Sequence, residues 1–140
     1  MTQTSNSDDQ PTIAVIGCGY VGLTTAALFA VCGLKVYAVE INPERLKVIQ
    51  SGRSFFYEAG IQQLLRAGLD SGTLVPTSDY ELAIPTADFV ISCVGTPDND
   101  DGSTNLSYVF SAAEQAARLM KPRAVYVQKS TVPVGTGAAV

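Results

Sequence analysis

The chain has 140 residues, 46% of them hydrophobic and 16% charged, which fits one compact domain and excludes disordered and fibrous classes. Thirteen acidic against nine basic residues give a net charge of −4, so there is no basic footprint for nucleic acid or for an anionic membrane surface. With no histidine, Ser-His-Asp and Cys-His machinery and His-ligated metals fall away, and no metal site is expected.

Residues 1–10 are polar and acidic, unlike a signal peptide, and residues 1–11 are expected to form a disordered tail ahead of a domain spanning 12–140. No apolar run reaches the roughly 18 residues that a membrane span needs. Cys18, Cys32 and Cys93 are odd in number and widely spaced, which reads as reduced thiols in a cytoplasmic protein rather than a disulfide framework.

Thr12 to Ile16 is a short β-branched run that suits a strand covered on both faces, and Gly17 stops it. Tyr20 to Cys32 turns Ala- and Leu-rich and predicts a helix with Gly33 at its C-terminus. Lys35 to Glu40 is the next strand, and Asn42-Pro43 opens a helix through Ile49 that Ser51-Gly52 closes. A helix from Ile61 to Ala67 with Gly68 behind it, a short strand from Thr73 to Thr77, and one helical turn capped by Ser78-Asp79 up to Ile84 follow. Asp88 to Cys93 is a buried strand, Val94 to Asn105 a polar loop, and Ser107 to Met120 a helix broken by Pro122. Ala124 to Gln128 is a fifth strand, Lys129 to Pro133 a turn, and a further helix starts at Gly135.

Strands alternating with helices predict a doubly wound α/β fold: a mostly parallel, Rossmann-like sheet in a three-layer αβα sandwich. Such sheets bind ligands beyond the carboxyl ends of their strands, which directs attention to Gly17–Gly22, Glu40–Arg45, Val94–Pro97 and Lys129–Thr131.

Gly17-Cys-Gly-Tyr-Val-Gly22 is a G-x-G-x-x-G that follows a strand and opens a helix, with the acid Glu40 ending the next strand. In that context Gly17 permits the tight turn, Gly19 the approach of a pyrophosphate, and Gly22 close packing of helix on strand. The plain alternative is a glycine-rich turn with no ligand. Glu40 is placed to accept hydrogen bonds from an adenosine ribose, or else is a solvated strand-end charge. Against Glu40, a 2′-phosphate at about 4 Å would add repulsion of about 4 kcal/mol per charge pair at an effective dielectric near 20, which favours NAD over NADP. Arg45, one turn into the next helix, is able to lie along the ribose or adenine and offset part of that repulsion. Gly95 and Thr96 end the fourth strand, where either a cofactor contact or an ordinary turn fits. Thr131 ends the fifth, near where a nicotinamide would sit, and Lys129 beside it is equally a surface charge. Cys18 stands at a helix N-terminus, where a thiolate is favoured, but a bound pyrophosphate would compete for that end, so it reads as a packing residue. Phe55-Phe56-Tyr57 with Glu58 is either a core plug or part of a site or interface.

Together these motifs resemble the N-terminal domain of the UDP-glucose/GDP-mannose dehydrogenase family. The likeness runs from Ile13 to the last residue, through the glycine motif, Gly52-Arg-Ser-Phe-Phe-Tyr-Glu-Ala-Gly60, Val94-Gly-Thr-Pro97, Asp101-Gly-Ser-Thr-Asn-Leu-Ser-Tyr-Val109 and Lys129-Ser-Thr-Val-Pro-Val-Gly-Thr136. The resemblance implies oxidation of a nucleotide sugar's C6 alcohol, through an aldehyde, to a carboxylate, with two hydrides passed to two successive NAD molecules. It places Gly17, Gly19, Tyr20 and Val21 in the pyrophosphate loop, Glu40 and Arg45 at the ribose, Thr96 at the cofactor, and Thr131 at the edge of the reaction centre, and the residue reading adds Gly22 and Gly95 to the cofactor site. Tyr57 and Glu58 fall in a loop near the substrate, although Phe55 and Ala59 replace the prolines usual on either side of that stretch.

The nucleophilic Cys and general-base Lys of such enzymes lie in domains beyond these 140 residues, so the chain is expected to be part of a longer, homo-oligomeric enzyme. Alone it would bind NAD without turnover. The Asp101-Gly-Ser stretch leans toward UDP-glucose, and the rival reading is a free-standing dinucleotide-binding or sensing module with no catalysis.

Overall fold

The computed structural model describes residues 10–140, so the expected tail falls largely outside the described residues. The first strand, β1 (Thr12–Ile16), is buried on both sides because consecutive side chains point to opposite faces. Ile13 and Val15 join one apolar cluster, and Ala14 and Ile16 the other. Behind Gly17 the chain enters α1 (Tyr20–Val31), whose Leu23, Ala26, Ala27 and Ala30 are buried. The small alanines let this helix lie close on the sheet, and Gly33, at φ +91°, turns the chain out of it.

The chain continues through β2 (Lys35–Val39), α2 (Pro43–Gln50), α3 (Ile61–Asp70), β3 (Leu74–Thr77), α4 (Tyr80–Ala83), β4 (Phe89–Ser92), α5 (Ser107–Leu119), β5 (Val125–Gln128) and α6 (Thr136–Ala139). All the pairings among these strands are parallel, in the order β3-β2-β1-β4-β5. In register, Ile16 of β1 faces Val39 on one side and Ser92 on the other, so the carboxyl ends of the three central strands finish together. Cores built on α1 and α3 cover one face of the sheet, and α4 and α5 cover the other. The doubly wound three-layer architecture expected from the alternation is the one observed.

Most boundaries fall within a residue of expectation, and the end of α3 differs by three. Gly68 does not stand behind α3 but inside it, buried: a Cβ there would come within 2.9 Å of the Leu74 Cβ and 3.2 Å of the Ala30 Cβ. Close approach of α3 to α1 and β3 explains a glycine that local propensity reads as a stop.

At the opposite, amino end of the sheet, Asp88 fastens β4 to β1. Its carboxylate accepts from the Thr12 N–H at 2.8 Å and pairs with Lys121 at 2.7 Å. The Lys121 hydrogen bond, and after it the Thr12 N–H, hold the Asp88 carboxyl below the usual carboxylate range.

Candidate functional site: the crevice at the carboxyl ends of β1, β2, β4 and β5

β1 and β4 are neighbours in the sheet, yet their following helices lie on opposite faces, so the loops after them part and leave a crevice. The glycine motif forms one wall. Gly17 has φ +88°, and a Cβ on it would stand 3.0 Å from the Cys93 and Val94 backbone. A Cβ on Gly22 would lie 1.8 Å from the Gly17 carbonyl oxygen. Both glycines are therefore demanded by packing.

Gly19 is different. It is the N-cap residue of α1 at φ −70° and ψ −163°, ordinary extended backbone, and a Cβ there would meet nothing within 4 Å. Gly95, across the crevice, likewise has open space where a side chain would be. The first turn of α1 has no side-chain cap and no acidic residue, so its leading N–H groups and positive dipole end are left for an incoming anion. Tyr20 and Val21, its first two residues, are exposed.

Glu40 follows β2 and is only 6% exposed, and one of its carboxylate oxygens accepts from the Asn42 N–H at 2.8 Å. The Asn42 side chain in turn caps α2, accepting from Glu44 and Arg45 N–H at 3.0 Å. The acid is thus tied to the backbone that starts α2 rather than swinging in solvent. Sequence reasoning found the cap and the acid separately but not their link.

The loops after β4 and β5 are clasped twice. Ser130 Oγ donates to the Val94 carbonyl at 2.7 Å, and Thr96 Oγ1 donates to the Thr131 carbonyl at 3.1 Å. Thr96 and Thr131 are thereby brought together, and the Thr96 oxygen keeps lone pairs for a further donor. Ser130 carried no local signal, because its role depends on a partner 36 residues away.

Phe55 and Phe56 are partly buried against the core and also reach the crevice wall. Phe56 stacks on Tyr20 with ring centres 4.4 Å apart, and the Arg45 guanidinium lies 4.9 Å from the centre of the Phe55 ring. Phe55 and Phe56 are therefore a core plug that also touches Tyr20 of the glycine motif, whereas Tyr57 is 92% exposed and Glu58 is also exposed.

Cys18 is fully buried, and its thiol points to the Val39 carbonyl at 3.6 Å. Burial, with the Glu40 charge next, pushes it far above the ordinary thiol range, so the fully buried side chain packs as a neutral thiol. Burial raises Cys93 as well, with Lys129 pulling the other way. Burial also pushes the Tyr80 phenol, on the far side of the sheet, up to about 12, with Tyr126 and Glu40 adding to it. Among the described residues no cluster of His, Cys, Asp and Glu is arranged to hold a metal, and no helix is long and apolar enough to cross a membrane.

Known proteins are similar to this chain in sequence and fold. A UDP-glucose 6-dehydrogenase of Pseudomonas aeruginosa is 42% identical over 128 residues, which are 91% of this chain and 28% of that protein. A second, from Bacillus subtilis, is 38% identical over 124 residues, covering 89% of this chain and 28% of the relative. The solved UDP-glucose dehydrogenase of the archaeon Pyrobaculum islandicum superposes with a TM-score of 0.86 at 34% identity, over 97% of this chain and 32% of that one. The chain thus spans under a third of the length of the relatives it matches. Residues 11–140 match the model of the UDP-glucose/GDP-mannose dehydrogenase family, NAD binding domain, and the chain belongs to that family as its NAD-binding domain.

Proposed function

We propose that this chain is the cofactor-binding part of a nucleotide-sugar 6-dehydrogenase that converts a sugar C6 alcohol to a carboxylate, with UDP-glucose as the preferred substrate class. The observation that carries the reading is the pair of glycines, Gly19 and Gly95, that the fold does not need and that border an uncapped helix N-terminus. The open space at each is where a pyrophosphate would pass, its charge stabilised by the α1 N–H groups and dipole.

In this reading Gly17, Gly19, Tyr20, Val21 and Gly22 bind the pyrophosphate through backbone N–H groups. Glu40 is held by Asn42 so that its remaining acceptor capacity meets the ribose hydroxyls, and Arg45 lies beside it. Gly95 lets the dinucleotide cross the β4 end, and Thr96 and Thr131 close over its nicotinamide half. Two NAD molecules, bound in succession, would each supply the hydride acceptor for one of the two oxidations. Thr131 borders the reacting carbon, and Tyr57 and Glu58, being exposed, are free to meet the sugar nucleotide. Three free thiols accord with a reducing cytoplasm, and assembly of the whole enzyme as a homo-oligomer belongs to the same proposal.

Calorimetric titration of the 140-residue chain with NAD and NADP at fixed salt tests this. Saturable NAD binding, at least about tenfold tighter than NADP, with the preference reduced in Glu40→Ala, is expected from charge repulsion at the ribose. A folded chain that binds neither, or that prefers NADP, overturns it.

A further inference from the structure

A chain of aromatic contacts connects the first turn of α2 to the glycine motif. The Arg45 guanidinium lies over Phe55 at 4.9 Å, Phe55 meets Phe56 edge-on at 5.2 Å, and Phe56 meets Tyr20 at 4.4 Å. The loop is locked locally, since Ser54 Oγ donates to the Phe56 carbonyl at 2.8 Å and accepts its N–H at 3.1 Å. Both phenylalanines are anchored in the core on their other sides. Arg45 itself has no ion-pair partner among the described residues, although Glu44 adjoins it in sequence and pairs instead with Lys47. Among the described residues its side chain makes no ion pair or hydrogen bond, and its guanidinium lies over the Phe55 ring.

Resting on the cofactor reading above, we propose that Phe55 is a positioning residue for the adenosine diphosphate half of the ligand. It takes one face of the Arg45 guanidinium and leaves the other for the adenosine. An arginine on an exposed helix turn loses much rotamer freedom when a ligand orders it. A ring that already holds the guanidinium removes part of that loss before binding. With its guanidinium held over the Phe55 ring, Arg45 is also less free to seek a 2′-phosphate, so the same contact supports discrimination against NADP.

The test is NAD calorimetry on the 140-residue chain with Phe55→Leu and Phe55→Tyr, each also in an Arg45→Met background, with melting temperatures recorded. Leucine keeps the apolar plug but removes the ring face, whereas tyrosine keeps the face. The expected result is NAD binding weakened about three- to fivefold in Phe55→Leu, near wild type in Phe55→Tyr, and no additional loss from Phe55→Leu once Arg45 is methionine. NADP affinity is expected not to fall in parallel. Equal losses in both backgrounds, or wild-type affinity in Phe55→Leu, overturn the positioning role. Failure of the folded wild-type chain to bind NAD falls instead on the cofactor reading, so the two failures are distinguishable.

Discussion

Replacing Gly22 and Gly19 by alanine, one at a time, separates what the glycine loop does for the fold from what it does for the ligand. In Gly22→Ala the new methyl would stand 1.8 Å from the Gly17 carbonyl oxygen and 3.0 Å from the Cys93 Cβ. Gly17 cannot retreat, because its own position is backed by the Cys93 and Val94 backbone. Overpacking of flexible side chains costs about 1–3 kcal/mol, and here backbone must move, so about 3 kcal/mol or more is expected. That is a large share of a typical domain stability of about 5–15 kcal/mol and lowers Tm by about 10 °C or more. In Gly19→Ala the methyl enters open space on extended backbone, so stability stays within about 0.5 kcal/mol of wild type. The same methyl occupies the space assigned to the pyrophosphate. Losing one or two charge-assisted hydrogen bonds at about 1.5–3 kcal/mol each weakens NAD at least about tenfold. Thermal melts and NAD calorimetry on both variants provide the assay. A Gly19→Ala chain that binds NAD within twofold of wild type would refute the assignment of that space to the cofactor.

Asp88 gives a pH prediction. Its folded-state carboxyl is held below its unfolded value near 3.9, so the Lys121 and Thr12 contacts stabilise the fold above that pH. Their contribution disappears as pH falls from about 4 through the lowered folded value. The Asp88 side chain is 40% exposed and screened, so Asp88→Asn should cost only about 1 kcal/mol at pH 7 and nothing at the acid end, read by urea melts across pH. A thiol reagent at pH 8 should label exposed Cys32 first and reach Cys18 only on unfolding, with mass spectrometry of the adducts as the check. Rapid labelling of Cys18 in the native chain would contradict its buried place. Gly68→Ala should destabilise by about 1–3 kcal/mol in denaturant melts despite alanine's better helix propensity, because its methyl meets Leu74 and Ala30.

How much was legible beforehand follows the range of the forces involved. The β1–α1 unit, the Asn42-Pro43 start of α2 and the αL glycine after α1 are written in adjacent residues, and each appears as expected. Gly68 was misplaced because its glycine serves a contact with Ala30 and Leu74 from other elements, and no local rule reports that. Within the crevice, the residue types at the four strand ends were visible as motifs. Their couplings were not: the Glu40 tie to the Asn42 N–H, the Ser130 and Thr96 clasps and the Arg45–Phe55 stack depend on side-chain directions that emerge only when the chain has packed. Which of Gly17, Gly19 and Gly22 the fold requires, and which is left for a ligand, likewise needed the surrounding atoms.

The most direct test of the account is an NMR titration of the 15N-labelled chain with NAD, following the backbone amides. The account predicts saturable shifts concentrated at Gly19 to Gly22, at Ile41 and Asn42 beside Glu40, and at Gly95 and Thr96, with Asp88 and Lys121 at the opposite end of the sheet unmoved. Shifts that cluster away from the carboxyl ends of β1, β2 and β4, or none at saturating NAD, would contradict it.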